Sequence, residues 1–277
     1  MDKSETSPIG IFDSGIGGLS VLRAVREQMP NESVIYFGDQ GHVPYGSRSI
    51  EQIQSFSEGI TNFLLEQNAK IIVVACNTAS AAALKYLREK FPDVQFVGME
   101  PAVKPAAEHT QTGKVGVLAT PATFQGALYA SVVERFASGV ELLQSTCPGL
   151  VQQIEQGNLN GEETRKILEN ALLPMLEKNI DTVVLGCTHY PFVIPLIQRI
   201  VGDARRVRVI DPAPSVARQT GRLLEAGGMR SQAQSKGNVR FYTSGDPTVL
   251  KSMLPILLGE SGEVSRANWL DDSHIAH

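Results

Sequence analysis

Short apolar runs rich in β-branched residues alternate along this chain with longer stretches whose apolar positions recur at helical spacing. Ile9-Gly10-Ile11-Phe12, Val34-Ile35-Tyr36-Phe37-Gly38 and Lys70-Ile71-Ile72-Val73-Val74-Ala75 read as buried strands. Leu19, Val21, Leu22 and Val25 mark the inner face of a helix after the first run, and a long amphipathic helix is predicted over 50–67. A strand over 94–99 and a helix ending near His109 follow. Near Gln111 the pattern restarts, with Val115-Gly116-Val117-Leu118-Ala119-Thr120 parallel to the first strand and Thr120 in the place of Ser14. A helix over 121–136, a strand over 140–144, a helix carrying Glu155, a helix over 162–178 and the strand Thr182-Val183-Val184-Leu185-Gly186 continue it. Strand Arg208-Val209-Ile210-Asp211, a helix over 214–226 and strand Val239–Thr243 complete the series; this last part suits either sheet. Strands alternating with helices predict an α/β fold of parallel sheets with right-handed crossovers.

Within the restart lies an echo. Val74-Ala75-Cys76-Asn77-Thr78 and Leu185-Gly186-Cys187-Thr188-His189-Tyr190-Pro191 each run from a buried strand through a cysteine and a hydroxyl residue into a helix start. In an open α/β sheet, ligands lie beyond the carboxyl ends of strands. A lone cysteine is commonly core. Two at equivalent strand–helix junctions, where helical N–H groups favour thiolate, point to chemistry at one site flanked from both sides. Cys147 has no repeat partner and reads as structural.

Composition narrows the field. The chain has 277 residues, 42% hydrophobic and 19% charged, with a formal net charge of −4. It can bury a sizeable core, or two smaller ones, and lacks the basic excess that a nucleic-acid partner demands. The densest basic run, Arg205-Arg206-Val207-Arg208, reads as a solvated loop. Apolar stretches are of strand length, short of the roughly 20 residues that span a bilayer, so no membrane association is expected. The polar start has no apolar signal core, and three widely spaced cysteines make no disulfide framework. The expected location is cytoplasmic.

Other readings of the motifs are weaker. Gly15-x-Gly17-x-x-Ser20 lacks the third glycine of a dinucleotide fingerprint. Cys187 and His189 are one residue apart and Cys76 has no neighbouring ligand, so no metal is expected. Asp13 can cap a helix, or orient a thiol or a substrate ammonium. His189 reads equally as a satisfied helix-start histidine or as a group tuning Cys187, and Glu155 as a surface carboxylate. Two thiols facing one carbon suit removal of a proton from one face and delivery at the other. Ser14, Asn77, Thr78, Thr120 and Thr188 with helix-start N–H groups would form a nest for carboxylates. That is a racemase design without a cofactor.

Gly10-Ile11-Phe12-Asp13-Ser14-Gly15-Ile16-Gly17-Gly18-Leu19, Pro44-Tyr45-Gly46, Ala75-Cys76-Asn77-Thr78-Ala79 and Gly186-Cys187-Thr188-His189-Tyr190-Pro191 together resemble the glutamate racemases of the aspartate/glutamate racemase superfamily. The resemblance runs over about residues 9–243. It implies two pseudosymmetric α/β domains, 1–99 plus 211–277 and 100–210, with the active site in the cleft between them. It implies Cys76 as acid/base toward D-glutamate and Cys187 toward L-glutamate, with Asp13 and the Glu155–His189 pair assisting and Asp39 a further assisting carboxylate. Substrate contacts would come from Asp13, Ser14, Tyr45, Gly46, Asn77, Thr78, Thr120, Thr188 and His189. It implies supply of D-glutamate for peptidoglycan, neither pyridoxal phosphate nor metal, and a homodimer. Cys187-Thr188-His189, where aspartate racemases have Cys-Thr-Glu, favours glutamate. The short leader predicts no need for a peptidoglycan-precursor activator. The alternatives are an aspartate or other cofactor-free racemase or decarboxylase of the superfamily, a non-catalytic carboxylate-binding module, and a redox dithiol. The polar end, 271–277, is expected to fray.

Overall fold

Residues Ile9–Asp13, every one buried, form β1, the strand around which the first sheet is laid out. The computed structural model describes residues 4–202, 207–271 and 273–276. After β1 come α1 (Leu19–Gln28), β2 (Val34–Gly38), a 3-10 turn (Tyr45–Ser47), α2 (Ile50–Glu66), β3 (Ile71–Val74), α3 (Asn77–Lys90) and β4 (Phe96–Gly98). β1 pairs in parallel with β2 on one side and β3 on the other, and β3 pairs with β4, giving the order β2-β1-β3-β4. The strands are β-branched runs buried along their length, as sheets covered on both faces require. Ser49 and Gln52 close a capping box at the start of α2, which satisfies helical N–H groups that would otherwise lack partners. On the inner face of α2, Phe56, Ile60, Phe63 and Leu64 are buried, each such side chain stabilising the fold by about 1.5–3 kcal/mol.

The second stretch repeats this plan. It comprises α4 (Val103–His109), β5 (Lys114–Ala119), α5 (Pro121–Gln125), α6 (Ala127–Phe136), β6 (Glu141–Ser145), α7 (Leu150–Glu155), α8 (Glu162–Glu177), β7 (Thr182–Gly186), a 3-10 turn (Tyr190–Val193), α9 (Ile194–Val201) and β8 (Arg208–Ile210). Its strands, all parallel, run β6-β5-β7-β8. In both sheets the first strand is central, the second lies on one side and the third on the other. Successive connections therefore leave the first strand in opposite directions. The crevice this opens at the carboxyl ends of β1 and β3, and again of β5 and β7, is the topological switch point where such sheets bind ligands.

The chain then makes α10 (Ala213–Ala226), β9 (Val239–Thr243), α11 (Pro247–Leu257), β10 (Val264–Arg266), β11 (Asn268–Asp271) and β12 (His274–Ala276). β9 pairs with β2 and β10 with β9, extending the first sheet to six strands. Of the two sheets open to it by sequence, this segment joins the first. Two compact units result: the chain up to Met99 together with the chain from Ala213 onward, and Glu100–Pro212. Within the first unit, Lys70 is wholly buried and ties its separate passes together. Its ammonium lies 2.7 Å from Glu32 Oε2 and donates to the carbonyls of Glu5 and Met229, each at 2.8 Å.

Two expectations are corrected. The helix over 121–136 is two helices, because Gly126 takes extended backbone (φ −73°, ψ 139°) and breaks the ladder. The end of the chain does not simply fray: β11 and β12 form an antiparallel hairpin, with Trp269 and Ile275 packed on the core of the first unit. Arg205 and Arg206, read as a solvated loop, lie outside the described residues, as do Asp272 and His277 of the end. Among the described residues no helix is long and apolar enough to cross a membrane, and no group of three His, Cys, Asp or Glu side chains could hold a metal ion.

Candidate active site

Cys76 leaves β3 with extended backbone (φ −135°, ψ 123°) and is the N-cap of α3. Its sulfur accepts the Ala79 N–H at 3.4 Å and lies 3.6 Å from Ser14 Oγ, at the end of β1. Burial and then the Asp13 carboxylate push this thiol up to about 12, while the Ala79 N–H and Ser14 pull the other way. Before a substrate arrives, Cys76 is therefore a protonated acid. Asp13 is wholly buried and its Oδ2 accepts the Gly15 N–H at 3.0 Å. A side chain at Gly18 would place its Cβ 2.7 Å from Asp13 Cβ and 3.1 Å from Tyr36 Oη. That glycine lets the start of α1 close against the end of β1, and so sets where Asp13 sits.

Beside the thiol, Asn77 is buried with neither its amide nitrogen nor its oxygen paired to a protein group. Such groups are rare in folded proteins and typically await a ligand or water. Thr78 is also buried. Tyr45, in the 3-10 turn, is buried and donates to Asp39 Oδ2 at 2.6 Å. Burial and then the Asp39 carboxylate raise its hydroxyl well above the ordinary phenol range, with Cys76 and Asp13 adding to the effect. Tyr45 therefore keeps its proton. Gly46 next to it is exposed. Asp39 follows β2 and also accepts from Ser244, Trp269 and His42.

The second unit presents its own set at the carboxyl ends of β5 and β7. Cys187 and His189 are buried, with Cys187 Sγ 3.7 Å from His189 Nδ1 and His189 Nε2 2.7 Å from Glu155 Oε1 at the end of α7. Burial pulls the imidazole down, but its hydrogen bonds to Cys187 and Glu155 outweigh that and raise it well above 6.5. The result is a Cys–His–Glu relay in which the ring holds a proton beside the sulfur. Whereas Cys76 caps an α-helix directly, the carbonyl of Cys187 accepts the Tyr190 N–H at 3.1 Å and opens a 3-10 turn. Thr188 is buried, and Thr120, at the N-terminus of α5, has its hydroxyl 3.0 Å from that of Thr123. Cys147 is buried with its sulfur 3.9 Å from Ser145 Oγ, its thiol pushed up to about 11 by burial.

Asp13 ends β1 and Ser14 follows it, and Cys76, Asn77 and Thr78 follow β3, with Asp39 after β2 and bonded to Tyr45 of the turn. Thr120, Cys187, Thr188 and His189 follow β5 and β7, and Glu155 of α7 meets His189. His42, Ser244 and Trp269 around Asp39 escaped the sequence reading. Only the nearness of His42 to the Pro44-Tyr45-Gly46 turn, and the presence of a single tryptophan, could have hinted at them.

The profile of the Asp/Glu/Hydantoin racemases matches residues 14–220. A glutamate racemase of Pseudomonas aeruginosa is 50% identical over 262 residues, 95% of this chain and 98% of its own. The chain belongs to the Asp/Glu/hydantoin racemase family, among its glutamate racemases. Solved structures of family members share the fold. Glutamate racemase from Francisella tularensis in complex with D-glutamate superposes with a TM-score of 0.80 at 32% identity, over 95% of this chain and 97% of that one. The Escherichia coli enzyme in complex with L-glutamate and the activator UDP-MurNAc-Ala gives 0.79 at 33% identity, over 94% and 97%. The family match begins at Ser14 and includes both cysteines with their helix starts.

Proposed function

We propose that this glutamate racemase works through Cys76 and Cys187 as paired acid and base on the two faces of one glutamate Cα. The observation that carries this reading is the repetition itself: each unit holds a cysteine at its switch point with its own set of supporting groups. With L-glutamate, the Cys187 thiolate takes the α-proton while Cys76, a thiol in the resting protein, delivers its proton to the opposite face; D-glutamate results. The reverse reaction exchanges the roles. The proton gained by one sulfur equals the proton lost by the other, so solvent exchange resets the pair. Asp13 receives the substrate ammonium, whose positive charge offsets the carboxylate that otherwise holds Cys76 protonated. His189, steadied by Glu155, carries a proton beside Cys187. The unpaired Asn77 amide, Ser14, Thr78, Thr120, Thr188 and the Tyr45–Gly46 turn bind the two carboxylates. Their dipoles meet the charge that develops as the proton leaves.

The test is incubation of L-glutamate in D2O without pyridoxal phosphate and with a chelator present. Decay of optical rotation to zero with deuterium entering Cα supports the reading, as does near-total loss of turnover in Cys76→Ala and in Cys187→Ala with glutamate still bound. Wild-type turnover in either variant rules out the two-thiol mechanism. Faster racemisation of aspartate than of glutamate would move the chain to the sister activity. Three unpaired cysteines suit the reducing cytoplasm, and we place the activity there, supplying D-glutamate for peptidoglycan. A homodimer is the expected assembly, and light scattering of the purified chain checks it.

A further inference from the structure

The carboxylate of Asp39 is buried where β2 ends, and four side chains use it as an acceptor. Tyr45 Oη donates to Oδ2 at 2.6 Å, Ser244 Oγ to Oδ1 at 2.6 Å and Trp269 Nε1 to Oδ1 at 2.9 Å. His42 Nδ1 lies 3.1 and 3.0 Å from the two oxygens. A carboxylate offers about four lone-pair directions, so these partners leave it none with which to take a proton from a thiol or a substrate. Asp39 is a hub. One of its spokes, Tyr45, belongs to the turn beside Cys76; another, Trp269, belongs to the hairpin at the far end of the chain.

That hairpin is seated, not draped. The His42 ring stacks on Phe56 at 4.0 Å and 8°, and Trp269 packs edge-on against His42 at 5.2 Å and tilted against Phe56 at 5.7 Å. Beneath them α2 carries Gly59, where a Cβ would lie 2.6 Å from Trp269 Cζ3 and 2.7 Å from the Ser273 carbonyl. The helix is bare where the hairpin sits on it. Ala267, just before β11, is wholly buried and its N–H bonds Thr243 O at 2.9 Å. The indole is thereby aimed at Asp39 by contacts at Ala267, Trp269 and Ser273.

We propose that Trp269 and His42 are positioning residues of the reaction: acting through Asp39 they fix the Tyr45 hydroxyl, and with it the turn that grips the substrate, so hairpin β11–β12 is part of the racemisation machinery. This rests on the reading of Tyr45 and Gly46 as substrate contacts. In that role Asp39 orients Tyr45 and does not itself carry the proton.

Because Trp269 is the chain's single tryptophan, its fluorescence reports on the hub directly. In the full chain, Tyr45→Phe and His42→Phe should each shift the emission of Trp269, since each removes one of the donors that share Asp39 with the indole. Emission unchanged in both overturns the coupling, whatever the chain's activity. The kinetic arm uses L-glutamate. Trp269→Phe keeps an aromatic ring on Phe56 but loses the donor and the ring edge over Gly59; kcat/KM per folded molecule should fall about tenfold, mostly through KM, with the folded fraction fixed by the melting temperature. The Trp269→Phe/Tyr45→Phe double variant should be no worse than Tyr45→Phe alone, because both act through one hydroxyl. Wild-type kcat/KM in Trp269→Phe, or losses that multiply in the double variant, overturns the proposal. If Trp269→Phe does not fold, His42→Phe takes its place with the same criteria. A parent chain that leaves glutamate untouched would fail the functional reading instead, and the emission measurements would still decide the inference.

Discussion

Asn77 keeps a buried amide with both of its polar atoms unpaired to protein, and each such group costs about 1–3 kcal/mol in the free protein. On the proposed reading, that stability is given up for binding. Asn77→Ala should therefore leave the melting temperature unchanged or raise it, while the KM for glutamate rises at least about tenfold, since alanine is also a good helix former at this first-turn position. A large loss of stability with unchanged kinetics would contradict this. His189 titrates in the opposite sense to a carboxylate. Its hydrogen bonds to Cys187 and Glu155 raise it above 6.5 in the folded protein. A group raised on folding stabilises fully below its unfolded value, and that contribution is lost as pH rises through the folded value. Melting temperatures taken from pH 6 to 9 should decline in the parent, and His189→Gln should flatten the decline; identical slopes would refute the assignment. At this scale the cysteines were legible because each interrupts an apolar run at a strand end. Glu155 was not, since a carboxylate near the end of a helix looks like any solvated one until its partner 34 residues on is folded beside it.

Elements decide where those residues point. Gly18 is the case to test, because the closing of α1 on β1 leaves no room for a methyl group beside Asp13. Gly18→Ala must push the helix start or the strand end aside. A cost of about 1–3 kcal/mol is expected from overpacking, with a loss of activity larger than the unfolded fraction explains, measured by urea titration alongside racemisation. Activity that tracks the folded fraction alone would mean that Asp13 had not moved. The strands and most helices could be read from hydrophobic period, which is a property of neighbouring residues. The break at Gly126 could not, because an isolated glycine is tolerated inside many helices. Nor could hairpin β11–β12, whose short and mostly polar strands carry no strong alternation; contacts with α2 hold it.

At the scale of the molecule, the first unit is made from two passes of the chain. The buried Lys70–Glu32 pair lies in the first pass and reaches the second through Lys70 Nζ to the Met229 carbonyl and the Ser231 N–H to Glu32 Oε1, each at 2.8 Å. Removing one partner of such a pair strands a charge in the interior. Lys70→Met should lower the stability to urea by about 3–5 kcal/mol, whereas Lys70→Met with Glu32→Leu should recover much of it. Equal stability of parent and single variant would show that the pair contributes nothing. Neither residue belongs to either half of the proposed site, so kcat per folded molecule should be unchanged at low temperature.

Taken alone, the sequence determined the parallel α/β class, the internal repeat and the two cysteines at strand ends. All of these follow from local patterning and from the rule that open sheets bind at their switch points. The tertiary structure decided which sheet β9 joins, that Glu155 meets His189, and that Asp39 is shared by Tyr45, Ser244, Trp269 and His42. Ser244 and Trp269 lie 205 and 230 residues from Asp39. Partnerships at such distances are set by strand register and by the packing of whole elements. Their free energy is spread over many contacts, so no single stretch of sequence carries their signature.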